Sequence, residues 1–449
     1  MDQLAGFDFI ALNFDEDGKL TSTSALVELQ EHIATEGATD VVLMAHGFRN
    51  DAAEARSLYG NFFTNFRPHM ARAELTSRLS ARRFAMAGIF WPSKSMSEGS
   101  SGDSGQVQGL GDAADELDTA RAQLMRMRDE IVRAEQRPIV ERALALLGTL
   151  EGDATTQNEF VALILSLVDE REPDTTEGFA DLLAQDGSAL LAKLGTPIIL
   201  PTTRDSDAGG VMSLAGGVGG GSDLGKPLFI GGFFKTAAGK VGQLVNMTTW
   251  YMMKNRSGTV GAAGVAPIVR ALKNAHPSVR VHLVGHSLGG RCMAACAKAL
   301  AAPPTVRADS LTLLEAAFSH YGLSPNNGKG SAGFFRDVVT RQVVKGPFIS
   351  TYSYQDTVVG IAYSMSSRLA GDNVRAIGDK DDQYGGIGRN GTQRTDEATN
   401  QPLHAVGATY SFALDVVNNL DGSGGAIKNH GDVTSPMVTY AFASAVAQT

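Results

Sequence analysis

A serine flanked by glycines marks one place in the chain where side-chain chemistry could begin. Gly285-His286-Ser287-Leu288-Gly289 fits the pattern G-x-S-x-G, in which the serine occupies a sharp turn between a strand and a helix. The apolar run VHLV precedes it and the helix-favouring run RCMAACAKAL follows it. Gly285 and Gly289 lack the Cβ atoms that would clash in so tight a turn. An ordinary strand-to-helix turn is the alternative interpretation.

A serine hydroxyl becomes a good nucleophile only when a base removes its proton and a carboxylate orients that base. Asp356 ends the run ISTYSYQD, which is typical of a strand, and His430 lies between the last predicted strand and the last predicted helix. The chain order serine, acid, histidine is the order that an exposed serine of this type uses. Glu315, near the end of LTLLEAAF, is the alternative acid, and His404 is the rival base.

The segment MAHGFRN provides the third element that such a serine needs, a place for a developing negative charge. Gly47 lets the backbone N–H of Phe48 face the site beside the N–H of Leu288, and two such amides can stabilise an oxyanion. We interpret His46 as a residue that orients this loop by hydrogen bonding, without ionising in catalysis. Gly47, His286 and the two glycines beside the serine are the other supporting residues.

Strands and helices alternate in two parts of the chain, which predicts an α/β fold with a mostly parallel sheet flanked by helices. A short hairpin is predicted around Asp17-Gly18. The predicted strands cover residues 41–44, 82–91, 278–285, 308–318, 346–356 and 409–421. The predicted helices cover residues 24–36, 52–66, 112–137, 260–274, 288–302, 333–344, 358–369 and 435–447. Residues 1–92 and 255–449 therefore form the predicted core.

Residues 93–254 interrupt this alternation, and we interpret them as a large, mainly helical cap inserted into the core. The glycine-rich segment 209–225 is flexible by composition, and its glycines could let the cap open. Trp91 and Trp250 are candidates for the lining of a substrate pocket, although core packing explains both equally well.

Composition limits the classes of partner. The 449 residues carry a formal net charge of −9, which argues against nucleic acid and against an anionic membrane surface. The sequence contains no apolar stretch long enough to cross a bilayer and no signal-peptide pattern at its start, so we expect a cytoplasmic protein without integral membrane association. Cys292 and Cys296 lie on one predicted helix and are expected to be reduced thiols. With no other cysteine and no Cys/His cluster, neither a metal nor an organic cofactor is expected.

The segments AHGF and GHSLGG, followed by Asp356 and His430, resemble the α/β-hydrolase superfamily, and its serine esterases and lipases in particular. The resemblance covers residues 1–92 and 255–449. It implies the α/β-hydrolase fold and cleavage of a small-molecule carboxylic ester through an acyl-enzyme, with Ser287 as nucleophile, His430 as base and Asp356 as orienting acid. The long insertion after Trp91 departs from the family, in which most caps enter later in the chain.

Other functions are open to the same residues. An amidase, a peptidase or a thioesterase would use the same three side chains, and a catalytically inactive binding protein could retain the fold. The sequence does not predict the natural substrate or the oligomeric state.

Overall fold

We describe the fold from a computed structural model, which defines residues 1–93, 113–195, 200–201, 211–212, 236–370 and 378–449. The chain divides into two compact units. The first comprises Met1–Ser93, Arg256–Val359 and Gly385–Thr449, and the second comprises Lys94–Asn255 and Gly360–Tyr384. Residues 360–384, which the sequence-based division placed in the core, thus belong to the second unit.

One large sheet organises the first unit. The strands of the described residues are β1 Asp2–Leu4, β2 Phe7–Asn13, β3 Asp40–Ala45, β4 Phe84–Phe90, β5 Leu200–Pro201, β6 Val211–Met212, β7 Arg280–His286, β8 Ser310–Leu314, β9 Phe348–Tyr352, β10 Ala398–Pro402 and β11 Val417–Asp421. In that part of the chain the sheet has nine strands in the order β1-β2-β4-β3-β7-β8-β9-β11-β10. Only the pair β1 and β2 is antiparallel among them.

The central strands are buried along their whole length. Every residue of β3, β4, β8 and β9 is buried, so both faces of the sheet are covered. Continuous apolar runs such as Val41–Met44 are typical of strands in this position. The prediction of an α/β protein with a mostly parallel sheet flanked by helices is confirmed.

Helices connect the strands, and several begin at well-formed caps. The α-helices of the described residues are Ser24–Glu36, Ala52–Phe66, Thr76–Leu79, Ala113–Arg126, Arg137–Leu146, Ala154–Leu165, Phe179–Leu183, Gly187–Leu194, Ala237–Thr259, Ala266–Ala275, Leu288–Leu300, Arg336–Thr340, Thr357–Ala370, Ile387–Asn390 and Pro436–Val446. Asp51 and Glu54 form a capping box at the start of the second helix, which satisfies N–H groups that the helix leaves unpaired. Among the described residues, no helix is both long enough and apolar enough to span a membrane.

The second unit is mainly helical in its described part, apart from the short antiparallel ladder of β5 with β6. A buried ion pair joins Lys254 to Glu177, and the Tyr363 hydroxyl donates to Glu177 at 2.8 Å. The Lys254 ammonium lies over the rings of Tyr363 and Trp250, at 4.6 and 5.5 Å from their centroids. These contacts tie together segments that are distant in sequence.

Several boundaries differ from the predictions. The hairpin is formed by β1 and β2 through Ala5-Gly6, whereas the turn at Asp17-Gly18 is closed by a single bridge between Phe14 and Leu20. The strand predicted over 409–421 begins at Val417, and the helix predicted over 333–344 is limited to Arg336–Thr340. Strand β10 was not predicted, because its residues are polar and partly exposed at the sheet edge.

The predicted helix over 112–137 ends as an α-helix at Arg126 and continues as a π-helical turn over Met127–Ile131. Apart from Val211–Met212, the glycine-rich segment 209–225 lies outside the described residues.

Candidate functional site

The candidate site lies at the carboxyl ends of the parallel strands of the sheet. Gly47 follows β3, Ser287 follows β7, Asp356 follows β9 and His430 follows β11 along the chain. These four strands are parallel to one another, so the segments that follow their carboxyl ends all leave the sheet on the same side. Ligand sites of parallel α/β sheets lie outside the carboxyl ends of the strands.

Ser287 occupies a strained turn between β7 and the helix Leu288–Leu300. Its backbone has φ 57° and ψ −125°, a region that a residue with a Cβ atom rarely adopts. Two main-chain hydrogen bonds hold it there, from Ser287 N to Leu314 O and from Ala317 N to Ser287 O, both 3.0 Å long. The neighbouring strand end therefore maintains the strained conformation.

The glycines beside the serine are required by the close approach of the backbone. A Cβ on Gly285 would overlap the carbonyl oxygen of Gly289, and a Cβ on Gly289 would overlap the carbonyl oxygen of Ala45. The start of the helix thus packs directly against the ends of β7 and β3. This is the physical reason for the G-x-S-x-G spacing.

The loop after β3 lies against the serine side chain. A Cβ on Gly47 would lie 2.8 Å from Ser287 Cβ and 3.3 Å from Ser287 Oγ. In the described part of the chain, neither Phe48 N nor Leu288 N donates to a protein acceptor. Unpaired amides of this kind are what an oxyanion site requires.

His430 and Asp356 form the expected pair. His430 Nδ1 lies 2.7 Å from Asp356 Oδ2, and both residues are buried. Val359 N donates to Asp356 Oδ1 at 2.9 Å, at the start of the helix Thr357–Ala370. Asp356 accepts both bonds, so Nδ1 carries the proton of the neutral imidazole and Nε2 is left without one.

His430 and Ser287 are not joined by a hydrogen bond. Within the described residues, neither Ser287 Oγ nor His430 Nε2 makes one. Ser287 is 5% exposed, and the His430 ring lies 4.7 Å from that of His286, the residue before the serine. Hydrogen bonds between nucleophile and base are often long before a substrate binds.

His286 supports the segment that carries His430. Its Nε2 lies 2.9 Å from His430 O, and donation to this carbonyl places the proton on Nε2. Burial, followed by the neighbouring His430, lowers the pKa of His286 well below its usual range. A neutral His286 therefore holds the main chain of His430 in place.

His46 has a similar supporting contact with the loop after β3. Its Nδ1 lies 2.9 Å from Gly47 O, and its Nε2 accepts from Trp91 N at 3.3 Å. Burial lowers the pKa of His46 to about 4, so the ring is neutral at pH 7. The Trp91 ring stacks on it at 5.5 Å, and Trp91 Nε1 donates to His46 O at 2.9 Å.

The two tryptophans suggested as pocket residues are both buried, with 4% of each exposed. Trp91 supports the His46 loop of the first unit, whereas Trp250 belongs to the second unit and contacts Lys254 and Tyr363. Each tryptophan therefore packs against residues of its own unit.

Glu315, the alternative acid, is completely buried and has a φ of 43°. The contact to His430 Nδ1 is made by Asp356. His404, the rival base, lies in the segment between β10 and β11, where its N–H donates to the Tyr410 hydroxyl at 2.7 Å.

A second Ser–His–Asp arrangement was missed by the sequence analysis. His282 Nε2 lies 2.9 Å from Asp40 Oδ1, and His282 Nδ1 lies 2.8 Å from Ser310 Oγ. The three side chains lie near the beginnings of β3, β7 and β8 and are fully buried. Ser310 does not have a positive φ and does not precede a helix. We interpret this chain of hydrogen bonds as part of the core.

Comparison of the chain with protein-family models, with curated proteins and with solved structures found no match in any of the three. Among the described residues, no group of three or more His, Cys, Asp or Glu side chains could hold a metal ion. The geometry of the site is therefore the basis for a functional assignment.

Proposed function

We propose that the chain is a serine hydrolase with the α/β-hydrolase fold, and that it cleaves carboxylic esters. The observation that carries the proposal is the backbone of Ser287, held at φ 57° between a buried parallel strand and the start of a helix. A strained conformation persists only where the surrounding structure enforces it, and such residues cluster at active sites. The pair His430–Asp356 and the unpaired amides of Phe48 and Leu288 support the same function.

The proposed reaction has two steps. Ser287 Oγ attacks the ester carbonyl while His430 Nε2 takes its proton, and the amides of Phe48 and Leu288 bind the oxyanion. Asp356 stabilises the imidazolium, which then protonates the leaving alcohol. In the second step the same imidazole activates a water that hydrolyses the acyl-enzyme and regenerates the serine.

Labelling with a fluorophosphonate probe tests the proposal, because the probe reacts with an activated serine. We expect the folded protein to be labelled at Ser287, and Ser287→Ala to abolish the labelling. Ser310→Ala is the matched control, since Ser310 is also bonded to a His–Asp pair but lacks the strained turn. A folded protein that is not labelled at Ser287 would instead indicate a catalytically inactive binding protein.

The bond that is cleaved is tested separately, because amides and thioesters could use the same side chains. A panel of p-nitrophenyl esters of increasing acyl length, with matched anilides and thioesters, measures this preference. We expect the ester series to give the highest kcat/KM. A higher kcat/KM for the anilides or thioesters would leave the serine mechanism in place and change the substrate class.

A further inference from the structure

Glu315 is a buried acid that the proposed mechanism does not use. It follows β8 directly, and none of its surface is exposed. Neither carboxyl oxygen has a hydrogen-bond partner in good geometry within the described residues, although the Asp356 carboxyl group lies within reach of Glu315. The Thr351 hydroxyl and the main chain of Ser353 favour the ionised form, but complete burial outweighs both, so a carboxylate in that position would be strongly unfavourable.

Asp356 is the charged neighbour of Glu315. β8 pairs with β9 so that Leu314 lies opposite Thr351, and Glu315 N donates to Thr351 Oγ1 at 3.3 Å. The chain then turns back, because Asp356 N donates to Ser353 O at 2.9 Å. In this arrangement the charge of Asp356 acts on the Glu315 carboxyl group.

The one proton that this acid pair retains belongs on Glu315. Each oxygen of Asp356 already accepts a hydrogen bond, from His430 Nδ1 and from Val359 N, whereas neither oxygen of Glu315 accepts one in good geometry. Two carboxylates that share a site do not both ionise readily. Burial, followed by the charge of Asp356, raises the pKa of Glu315 well above its usual range.

Other groups near the pair do not reverse this assignment. The segment Ile387–Asn390 packs on the pair, and a Cβ on Gly388 would lie 2.5 Å from the carbonyl carbon of Glu315. Its charged residue, Arg389, donates to the main-chain carbonyl of Asp356 at 3.2 Å and to that of Tyr354. His430 contacts the pair through Asp356.

We propose that Glu315 is protonated in the native protein and donates a hydrogen bond to the Asp356 carboxylate, which makes it a positioning residue for the orienting acid. The role as a positioning residue rests on the proposed function, whereas the protonation itself does not. In this arrangement the pair keeps a single negative charge beside the imidazole, and Asp356 remains directed at Nδ1.

Infrared spectroscopy tests the protonation without any substrate. A protonated carboxylic acid has a carbonyl stretch that is distinct from the carboxylate bands. We expect the wild-type spectrum at pH 8 to contain such a band and Glu315→Gln to lack it. Glu397→Gln is the matched control, because Glu397 pairs with Arg336, which lowers its pKa, and its loss should remove only carboxylate absorption. An unchanged acid band in Glu315→Gln would overturn the proposal.

The positioning role is tested by comparing two variants of Glu315. Glutamine can still donate to Asp356, whereas leucine cannot. We expect the low-field proton resonance of the His430–Asp356 hydrogen bond to be retained in Glu315→Gln and shifted in Glu315→Leu. With an ester substrate, we expect kcat to fall less than threefold in the first variant and about 10- to 100-fold in the second, as for the loss of a hydrogen bond to a charged group.

The two proposals fail in different ways. Equal resonances and equal rates in the two folded variants would refute the positioning role. A protein that is not labelled by the fluorophosphonate but keeps the acid band would refute the hydrolase proposal and leave the protonation of Glu315 intact.

Discussion

The contact between Gly47 and Ser287 leads to the sharpest prediction, which concerns the substitution Gly47→Ala. Gly47 does not have a positive φ, so alanine can adopt its backbone conformation. The added methyl group is therefore disfavoured by steric overlap with neighbouring atoms and not by backbone strain. It would lie 2.8 Å from Ser287 Cβ and 3.3 Å from both Ser287 Oγ and His286 O.

The size of the effect follows from that distance. Non-bonded carbon atoms are at their optimum about 3.5 to 4.0 Å apart, so the loop and the serine must separate by roughly 1 Å. A misplacement of about 1 Å at a reacting group can reduce the rate about 100-fold. This corresponds to about 2.7 kcal/mol in the barrier.

The assay is the second-order rate constant of fluorophosphonate labelling, measured beside the midpoint of urea unfolding. Gly60→Ala is the matched control, because a Cβ there meets only Leu4 Cδ1 at 3.4 Å, within the helix Ala52–Phe66. We expect Gly60→Ala to label at the wild-type rate and to gain up to about 1 kcal/mol in stability. If folded Gly47→Ala is also labelled at the wild-type rate, the loop after β3 does not contact Ser287.

Three other predictions concern the acid, the second unit and pH. Asp356→Asn is expected to lower kcat about 10⁴-fold, since the imidazole loses the partner that fixes its tautomer; a loss below tenfold would refute this role. Lys254→Met removes the cation that pairs with the buried Glu177 carboxylate and should reduce the free energy of unfolding by about 3 to 5 kcal/mol. Arg142→Ala, in an exposed ion pair, should change it by at most about 1 kcal/mol in urea titrations. The pKa of His46 is about 4 in the folded state and higher in the unfolded state, so stability should be lost as the pH falls from about 6.5 to 4. The variant His46→Gln should lose less over that range, and an equal slope would contradict the assignment.

Local structure was largely predictable from the sequence. The apolar runs of β3, β4 and β7 predicted buried strands because each is long enough and bounded by polar or turn residues. The hairpin was misplaced because the Asp17-Gly18 signal is strong for a turn but does not say which strands pair. In the structure, both edges of β2 are already occupied, by β1 and by β4, so only one bridge forms beyond it.

The candidate site was only partly predictable. The glycines of G-x-S-x-G indicate a tight turn by themselves, because the requirement for missing Cβ atoms is local. The roles of His286 and Trp91 were not predictable, since their contacts are with main-chain atoms of His430 and His46, which are distant in sequence. Such contacts depend on how distant loops pack around the site, and the local sequence of either residue does not specify that packing.

The sequence by itself determined the α/β class, the turn at Ser287 and the chain order of the candidate acid and histidine, because each depends on residue types within one short segment. The order of the strands in the sheet was decided by tertiary packing, and that order brings His430 to Asp356, 74 residues away. Packing also buried Glu315 completely near Asp356. It enclosed the hydrogen-bonded side chains of Asp40, His282 and Ser310 in the core. Burial and the distance between charges set what each of these groups can do, and both exist only in the folded chain.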